Sequence, residues 1–516
     1  MRLVIEFLNK RFMRFNQTNK GKNQVVNYEG APAYRLTPEW ELYTTVVTSS
    51  LSDKFYEKDY DRLKKIQGLI QKNDPQFVAR LGVYAREQMN LRSIPLVLAV
   101  ELAKVHSGDA LIGRMTSRII QRADEITEIL AFYQLANNRK DVKKLNRLSK
   151  QLQAGLQNAF NKFDEYQFAK YNRDAEIKFR DALFLVHPKA KDDGQQLIFN
   201  KIVENKLETP YTWETELSAL GQNKYESENA KQEAFRRKWE ELIDSGKVGY
   251  MALLRNLRNI LEANVSAQHI QRVCETLSAK EKVLRSKQLP FRFLAAYREL
   301  SKISSGYATK VMNALEEAVK VSANNIAGFD ESTKVLVACD VSGSMQKPIS
   351  KNSKVMNYDI GLMLGMLLKS RCENVVSGIF GSTWKIVNLP DSGVLSNVDA
   401  FYKREGEVGY ATNGYSVVED LLERKQVMDK IMIFTDCQLW NSLGSVQIKE
   451  VWKKYKTIAP EAKMYLFDLA GYGDVPLDIT HDDVHLIAGW SDKIFDILQA
   501  IDNGSDALKE IKAIEL

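Results

Sequence analysis

Residues 335–345 read VLVACDVSGSM, and this stretch decides the class of the C-terminal fold. Its first five residues are a short aliphatic run, which predicts a buried parallel strand. The run ends at Asp340 and opens into a tight turn that carries Ser342 and Ser344. Carboxylate and hydroxyl oxygens at alternate positions are ligands that a hard divalent cation such as Mg²⁺ takes. In open α/β sheets, such sites lie beyond the carboxyl ends of the strands.

Two later loops supply further oxygen ligands. Thr412 lies in the loop GYATNGYS, and Asp436 ends a second aliphatic strand, KIMIFTD. The complete candidate metal set is Asp340, Ser342, Ser344, Thr412 and Asp436. This order resembles the metal-ion-dependent adhesion site of the von Willebrand factor A domain, although Tyr and Ala precede the threonine where that family usually has glycines. The resemblance implies bound Mg²⁺ held by the hydroxyls, with the aspartates acting largely through water; a serine-rich turn and an unrelated Thr–Asp pair are the alternative.

The periodicity of the chain predicts three parts. Residues 1–30 are a basic, polar lead-in, and residues 31–326 carry successive helical runs divided by short turns. Such runs predict stacked helical hairpins, an irregular solenoid of the HEAT-like sort, with an ordinary compact helical domain as the alternative. From residue 333 to 516 strands alternate with helices, which predicts a doubly wound, mostly parallel sheet.

The composition is that of a soluble globular protein. Of the 516 residues, 44% are hydrophobic and 27% are charged, and the formal net charge of +7 permits a polyanionic partner without requiring one. The four cysteines show no metal-ligand spacing, and no apolar run reaches the length of a membrane span. We therefore expect a cytoplasmic, monomeric protein that does not contact membranes.

Three stretches in the helical part carry a second resemblance. They are GYMALLRNLRNI at 249–260, LPFRFLAAY at 289–297 and FAKYNRDAEIKFRDALFLVHPKA at 168–190. Together with an A-like domain after them, they resemble the Ro autoantigen family, whose helical part is the TROVE domain. The resemblance implies a ring of helical repeats closed by the A domain. It also implies binding of Y-like small RNA outside and of single-stranded 3′ ends of misfolded non-coding RNA in the central hole, in RNA quality control or with a 3′ exoribonuclease.

The residues themselves give independent but weaker support for RNA. Lysine and arginine are dense between residues 139 and 180, with Phe163, Tyr166, Phe168, Tyr171 and Phe179 among them. Cations bind phosphates and aromatic faces stack on unpaired bases, but basic residues on helices are commonly a solvated face and such aromatics are commonly core. The RNA-binding candidates are Lys170, His187, Lys178, Arg180, Arg86, Arg92, Arg114, Arg118 and Arg122. Lys170 and His187 come from the resemblance. A structural role for His187 and surface salt bridges for the last five arginines are the alternatives.

No nucleophile–base pair, catalytic carboxylate pair or phosphate-cradling glycine loop stands out in the sequence. We therefore do not expect an enzyme, and hydrolysis at the Asp340 site lacks a general base beside the ion. The alternative function is a metal-dependent protein-interaction scaffold that uses the A domain without RNA.

Overall fold

The computed structural model describes most of the chain. The described residues are 24–27, 31–49, 60–137, 148–172, 175–286, 288, 290–323, 329, 331–348, 353–369, 372–388, 390, 393–439, 447–489, 498, 501 and 505–516. Within them, no helix is both long and apolar enough to cross a bilayer.

The first half of the helical part contains ten described helices. They are α1 Pro38–Thr48, α2 Tyr60–Ile70, α3 Pro75–Glu87, α4 Ser93–Val105, α5 Leu111–Ile119, α6 Asp124–Ala136, α7 Lys150–Phe160, α8 Glu165–Tyr171, α9 Phe179–Val186 and α10 Asp193–Val203. Seven more follow: α11 Trp213–Gln222, α12 Glu228–Asp244, α13 Tyr250–Glu262, α14 Ala267–Ser278, α15 Lys280–Ser286, α16 Pro290–Leu300 and α17 Ala308–Ala323. We call α1–α17 the helical array.

Local sequence explains where many of these helices begin. Asp74 accepts a hydrogen bond from the N–H of Gln76, with Pro75 in the first turn of α3, and Asp164 forms a reciprocal capping box with Gln167 at α8. Such caps satisfy N–H groups that have no partner inside the helix. The apolar run of α4 is buried from Ser93 to Leu102, as its sequence predicts for a helix covered on nearly every side.

The helices stack in two rows. One row contains the contacting helices α3, α5 and α7, and the other contains α4, α6 and α9. In the second half, α12 contacts α14, α14 contacts α17 and α13 contacts α16. These contacts join helices two or three positions apart in the chain, and the HEAT-like solenoid predicted from the sequence stays a prediction.

Residues 333–516, which we call the sheet domain, contain the main sheet. Its strands are β3 Val335–Asp340, β4 Val375–Phe380, β5 Trp384–Ile386, β6 Lys430–Thr435, β7 Lys463–Asp468 and β9 Val484–Ala488, in the spatial order β5-β4-β3-β6-β7-β9. All pairs are parallel except β4 with β5. The helices are α18 Asn357–Lys369, α19 Leu395–Tyr402, α20 Tyr415–Glu423, α21 Ile448–Tyr455 and α22 Ala507–Lys512. The mostly parallel sheet predicted for residues 333–516 is therefore confirmed. The sequence SDKIFDILQAI also predicts a helix over 491–501, and most of those residues lie outside the described ones.

The two faces of the sheet pack into different cores. Val337 and Cys339 belong to the cluster that also contains the core of the helical array. Leu336 and Ala338 point the other way, into the cluster under α20 and α21. Alternate residues of a strand point to opposite faces, so one strand joins the sheet domain to its own helices and to the array.

Part of the predicted N-terminal lead-in is instead a strand. β1 Gln24–Val26 pairs with β2 Pro32–Arg35, and β2 pairs with the short strand β8 Asp474–Val475. We call residues 24–37 the N-terminal strap. Within the strap, Asn27 is buried and its side-chain amide donates to the carbonyl of Leu439 at 2.9 Å, whereas Val26 is 54% exposed. Residues 1–23 and 28–30 lie outside the described residues. The other proposed domain limits stay predictions.

The sheet domain contacts the beginning of the helical array. Arg62 of α2 donates to the carbonyl of Ala470 at 2.7 Å, and Lys65 donates to the carbonyls of Gly471 and Tyr472 at 3.2 and 3.1 Å. α1 also packs on β9, and α22 packs on α3. The loop after β7 is thus tied to the second helix of the chain.

The sheet domain also contacts the end of the array. Arg298 of α16 forms two hydrogen bonds with Asp359 of α18, at 2.7 and 2.9 Å, and one with Asp399 of α19, at 2.6 Å. Glu316 of α17 accepts N–H bonds from the first turn of α19, among them one from Val394 at 2.7 Å. One domain therefore contacts both ends of the array.

Candidate metal centre and nucleic-acid interface

The candidate metal centre lies at the carboxyl edge of the main sheet. Parallel register aligns Thr435 with Asp468 and places Asp340 beside Thr435. The Thr435 hydroxyl donates to Oδ2 of Asp340 at 2.8 Å, and the N–H of Ser342 donates to its Oδ1 at 2.9 Å. The hydroxyls of Ser342 and Ser344 are 3.2 Å apart. Strand ends therefore bring the first carboxylate and two serines together, as their sequence spacing predicts.

The other two candidate ligands reach the same edge through loops. The Thr412 hydroxyl donates to the carbonyl of Gln438 at 2.9 Å, and the N–H of Gln438 donates to Oδ1 of Asp436 at 3.2 Å. Cys437 adopts a positive φ of 63°, which turns the chain sharply after Asp436. Thr412 and Asp436 are both buried. One tight turn therefore links the threonine loop to the second aspartate.

The electrostatics of this edge suit a cation. Burial is the main cause that raises the pKa of Asp340 to about 7, and the neighbouring charge of Asp436 contributes to this rise. Two buried carboxylates without a counter-charge repel each other, and a dication would relieve that repulsion. Among the described residues, no group of three or more His, Cys, Asp and Glu side chains is placed to hold a metal. The candidate set has only two carboxylates with three hydroxyls, so its occupancy by Mg²⁺ stays a prediction.

A further buried carboxylate, Asp468, adjoins this edge and is not among the residues predicted from the sequence. Asp468 ends β7 and accepts N–H bonds from Ala470 and Gly471 at 2.9 and 2.8 Å. Burial raises its pKa to about 6, with Asp436 adding to the rise. The signal was available, because KMYLFD is another aliphatic strand that ends in aspartate. Asp468 thus shapes the loop whose carbonyls bind Arg62 and Lys65.

One RNA-binding candidate is placed where it cannot contact RNA. Arg86 is 7% exposed, and its guanidinium donates to the carbonyl of Ile119 at 3.0 Å and to Glu125 at 2.7 Å. A buried, fully engaged arginine holds helices together. The prediction that Arg86 binds RNA is therefore wrong. The alternative, a salt bridge at the surface, does not describe it either, because the pair of Arg86 with Glu125 is buried.

Two more candidate arginines, Arg92 and Arg122, are engaged in ion pairs. Arg92 pairs with Asp124, Glu125 and Glu128, at 3.4, 3.3 and 3.1 Å. Arg122 binds both oxygens of one carboxylate at 3.0 and 2.6 Å and lies 4.4 Å from the centre of the Tyr171 ring. The side chains of Arg92 and Arg122 are partly exposed. Their ion pairs are the surface salt bridges predicted from the sequence as the alternative to RNA binding.

Arg118 and Arg114 differ although both belong to α5. Arg118 binds both carboxylate oxygens of Glu87, at 2.7 and 2.8 Å, and donates to the carbonyl of Glu515. Arg114 is exposed and forms no ion pair with any described carboxylate. Of the five early arginines, Arg114 has the most freedom to bind an external anion.

The later candidates are exposed residues on or next to α8 and α9, two helices joined by the contact of Phe168 with Phe179, and we call this set the α8–α9 surface. Lys170 lies 5.9 Å from the centre of the Tyr166 ring, and Arg180 lies 5.9 Å from that of Phe184. The two rings are 49% and 53% exposed. Exposed cations over exposed rings offer phosphate contacts and stacking faces together.

Lys178 and His187 flank helix α9 on the same surface. Lys178 precedes its first turn, and His187 follows its last turn in the left-handed conformation, with a φ of 50°. Both side chains are exposed. The backbone of His187 therefore ends the helix, while its side chain stays accessible.

Most of the interleaved aromatics are core residues. Phe163, Phe168 and Phe179 are buried, and the Phe168 ring contacts the other two with centres 5.9 and 5.2 Å apart. The hypothesis that they stack on bases is therefore wrong, while Tyr166 remains exposed. The basic residues 139–147 and Arg173 lie outside the described residues.

Comparison with known proteins identifies the domain family that the helical array matches. The sequence model of the TROVE domain matches residues 44–205 and 204–327. Telomerase protein component 1 of Rattus norvegicus is 27% identical over 318 residues, and that of Mus musculus is 27% identical over 352. The matched regions cover 46% and 52% of this chain but only 12% and 13% of those proteins.

A solved structure covers nearly the whole chain. The crystal structure of the Deinococcus radiodurans RO (RSR) protein superposes with a TM-score of 0.60 at 16% identity, over 91% of this chain and all of that one. At this identity the likeness shows a shared fold, with a helical part and a sheet domain in one chain. Because the domain match spans more than half of the sequence, the chain belongs to the TROVE-domain family.

Proposed function

We propose that this chain is a non-catalytic RNA-binding protein whose helical array binds RNA. Membership of the TROVE family and the Ro-like fold support this proposal. The observation that carries it is the α8–α9 surface, where exposed Lys170 and Arg180 lie over the exposed rings of Tyr166 and Phe184. Buried rings would serve only the core, whereas these are open to unpaired bases.

The finer proposal concerns the class of RNA. We propose that the array and the sheet domain form a closed ring, that structured Y-like small RNA binds the outer surface, and that single-stranded 3′ ends of misfolded RNA enter the hole. Contacts of the sheet domain with α2 at one end and α16 at the other support closure. Action in RNA quality control, with a 3′ exoribonuclease as partner in the cytoplasm, completes the proposal.

The first test is RNA affinity at several salt concentrations. A structured small RNA with a single-stranded 3′ tail should bind the wild type, and Lys170→Glu with Arg180→Glu should weaken binding about tenfold or more at moderate salt. Lys403→Glu with Lys453→Glu makes the same charge change at exposed sites of the sheet domain and is the control. Equal affinity of both double variants would remove the α8–α9 surface from the site, and no binding by the wild type would overturn the function.

We propose that the carboxyl edge of the sheet holds Mg²⁺ through Asp340, Ser342, Ser344, Thr412 and Asp436. The ion would supply a positive charge that docks an acidic group of a partner. Asp340→Ala should abolish Mg²⁺ binding in calorimetric titration and leave RNA affinity within about threefold, because the array carries the RNA. A large loss of RNA binding by the folded variant would contradict this division of labour.

A protein-interaction scaffold is the second candidate function. Tyr410 and Tyr472, next to the candidate metal loops, are 55% and 50% exposed. Exposed tyrosines beside a charged site are typical of protein interfaces. This function predicts Mg²⁺-dependent capture of a protein partner together with no measurable RNA affinity, so the RNA titration above separates the two.

A further inference from the structure

The close packing of α5 on α7 creates a groove that the proposed RNA surface does not include. A Cβ atom on Gly155 would lie 2.6 Å from Cβ of Thr116 and 2.7 Å from the carbonyl oxygen of Gly113, so only glycine permits this approach. Alongside the contact runs an open groove of about 650 Å³. Its charged lining residues are Asp109, Arg114, Arg118, Lys150 and Lys162. We call it the α5–α7 groove.

The groove carries a fixed positive charge. Lys162 donates to the carbonyl of Ile120 at 3.1 Å and to that of Ser117, so its ammonium is held at the end of α5. The lining carboxylate, Asp109, is 3.0 Å from Nε2 of His106 and accepts the N–H of Leu111 at 2.9 Å. Leu111 and His106 are the main partners of this carboxylate, with Arg114 exerting a smaller electrostatic effect on it, and cations outnumber acids along the groove.

Two of the cations remain available for a ligand. Arg114 and Lys150 are exposed, and neither forms an ion pair with a carboxylate in the described part of the chain. They flank the groove from α5 and from the first residue of α7. A guanidinium and an ammonium facing one groove bind phosphate oxygens, the first by paired hydrogen bonds and the second as a point charge.

The width and volume of the α5–α7 groove determine which class of phosphate ligand can enter it. Packed helices lie about 8–10 Å apart, so the groove between them is too narrow for a duplex. Its volume falls within the usual range for small-ligand sites, enough for a short piece of one sugar–phosphate strand. The side chains of Gln151 and Asn158 add polar groups along the same wall.

The groove is also next to the α8–α9 surface. The side-chain amides of Gln153 and Gln157 on α7 donate to the carbonyl of Val186, and Gln157 also reaches that of His187 at 3.2 Å. Ala154, on the adjoining face of the same helix, lines the groove. The two sites are therefore separated by about one helix diameter, roughly 10–12 Å.

We propose that the α5–α7 groove binds the phosphodiester backbone of single-stranded RNA that continues from the α8–α9 surface across α7. This inference rests on the proposed RNA-binding function and assigns one strand path within it. Arg114 and Lys150 are the phosphate contacts, and Lys162 supplies a fixed background charge. The site therefore recognises the negative charge of the phosphates and does not distinguish the base sequence.

The test compares a short oligouridylate with a blunt-ended hairpin that has no single-stranded tail. Arg114→Gln with Lys150→Gln should lower oligouridylate affinity about tenfold and reduce the slope of log K against log salt by about 1.4, since each single-strand phosphate contact contributes about 0.7. Hairpin affinity should change by less than about twofold. The matched control is Lys403→Gln with Lys453→Gln, two exposed cations of the sheet domain.

The outcomes separate the two proposals. If the wild type binds neither probe, the proposed function fails. If it binds oligouridylate and the groove variant retains the wild-type affinity and slope, the strand path is overturned while the function stands. Polyglutamate and inorganic phosphate serve as competitors, and displacement of oligouridylate by polyglutamate through Arg114 and Lys150 would reassign the groove to an acidic protein. Thiouridine crosslinks that map to α5 and α7 would support the path even if a variant folds poorly.

Discussion

Among individual residues, the burial of a charged side chain decides whether a predicted RNA-binding residue is accessible to a ligand. The Arg86–Glu125 pair shows why a sequence cannot settle this, because the two residues are 39 positions apart and nothing local predicts that they meet. The aspartates at strand ends were predictable, since an aliphatic run fixes both the strand and the edge where it ends. Asp468 follows the same rule and was overlooked only because no hydroxyl motif accompanies it.

Arg298 supports the first prediction. It is 14% exposed in its side chain, while Asp359 opposite is fully buried. Arg298→Ala leaves that carboxylate without its partner and should destabilise the protein by about 3–5 kcal/mol. Denaturant unfolding measures this, and adding Asp359→Asn should recover part of the loss by removing the buried charge. Arg404→Ala, at a solvent-exposed pair, is the control and should have little effect.

Glu128 makes part of the unfolding free energy of the protein depend on pH. Burial raises its pKa from 4.5 to about 7, Asp124 and Glu125 add to the rise, and Arg92 and Arg122 oppose it. The folded state therefore binds this proton more tightly than the unfolded state, so its contribution to stability is present at low pH and is lost as pH rises through 7. The unfolding free energy of the wild type minus that of Glu128→Gln should fall as pH rises from about 4.5 to about 7 and level off above that. A difference independent of pH would contradict this.

At the element scale, the helices were predictable and the N-terminal strap was not. A 3.6-residue period is visible within one helix, whereas β2 is a four-residue strand whose partner β8 comes from the far end of the chain. Short polar strands carry little alternation. The stacking of α5 on α7 was equally hidden, because it depends on two glycines that face each other only after folding.

Those glycines support a prediction about helix packing. Gly155→Ala should destabilise the protein by about 1–3 kcal/mol despite the better helix propensity of alanine, because the added methyl group meets Thr116 and the Gly113 backbone. Gly68→Ala in α2 is the matched control: a Cβ there meets nothing within 4 Å. It should stabilise by about 0.5–1 kcal/mol. Thermal unfolding of both variants checks the pair, and equal signs would contradict the packing argument.

Asn27 links the N-terminal strap to the proposed metal loop. Its amide holds the carbonyl of Leu439, and the preceding Gln438 carbonyl accepts from Thr412. Asn27→Ala should weaken Mg²⁺ binding about fivefold, on the scale of one buried hydrogen bond of about 1 kcal/mol. Val26→Ala, at the neighbouring position and 54% exposed, is the control. Unchanged Mg²⁺ affinity in titration calorimetry would show that the strap does not position the loop.

In the whole molecule, the sheet domain contacts both ends of the helical array. We call its contact with α2 the first fastening and its contact with α16 the second fastening. The two fastenings differ in chemistry: the first uses cations of α2 on backbone carbonyls, and the second uses the carboxylate pair around Arg298. The sequence predicted the two architectures but gave no sign of either fastening, since each joins residues from distant segments.

The first fastening gives the last prediction. Arg62→Ala with Lys65→Ala should loosen the contact between α2 and residues 470–472, which raises the radius of gyration in small-angle scattering. Hydrogen exchange should accelerate in α1, α2 and the loop after β7, while α18 stays protected by the second fastening. Lys72→Ala, an exposed cation beyond the end of α2, is the control. Equal acceleration in both regions would show that the two contacts open together.

The N-terminal strap has a consequence for biosynthesis. Asn27 and Leu439 are separated by 412 positions, so most of the polypeptide must leave the ribosome before the two can meet. Until then the β1–β2 pair lacks β8 and the Leu439 carbonyl, while the helices between can already form from local contacts. Attachment of the strap is therefore among the last steps of maturation, and a nascent chain released before the end of β8 could never complete it.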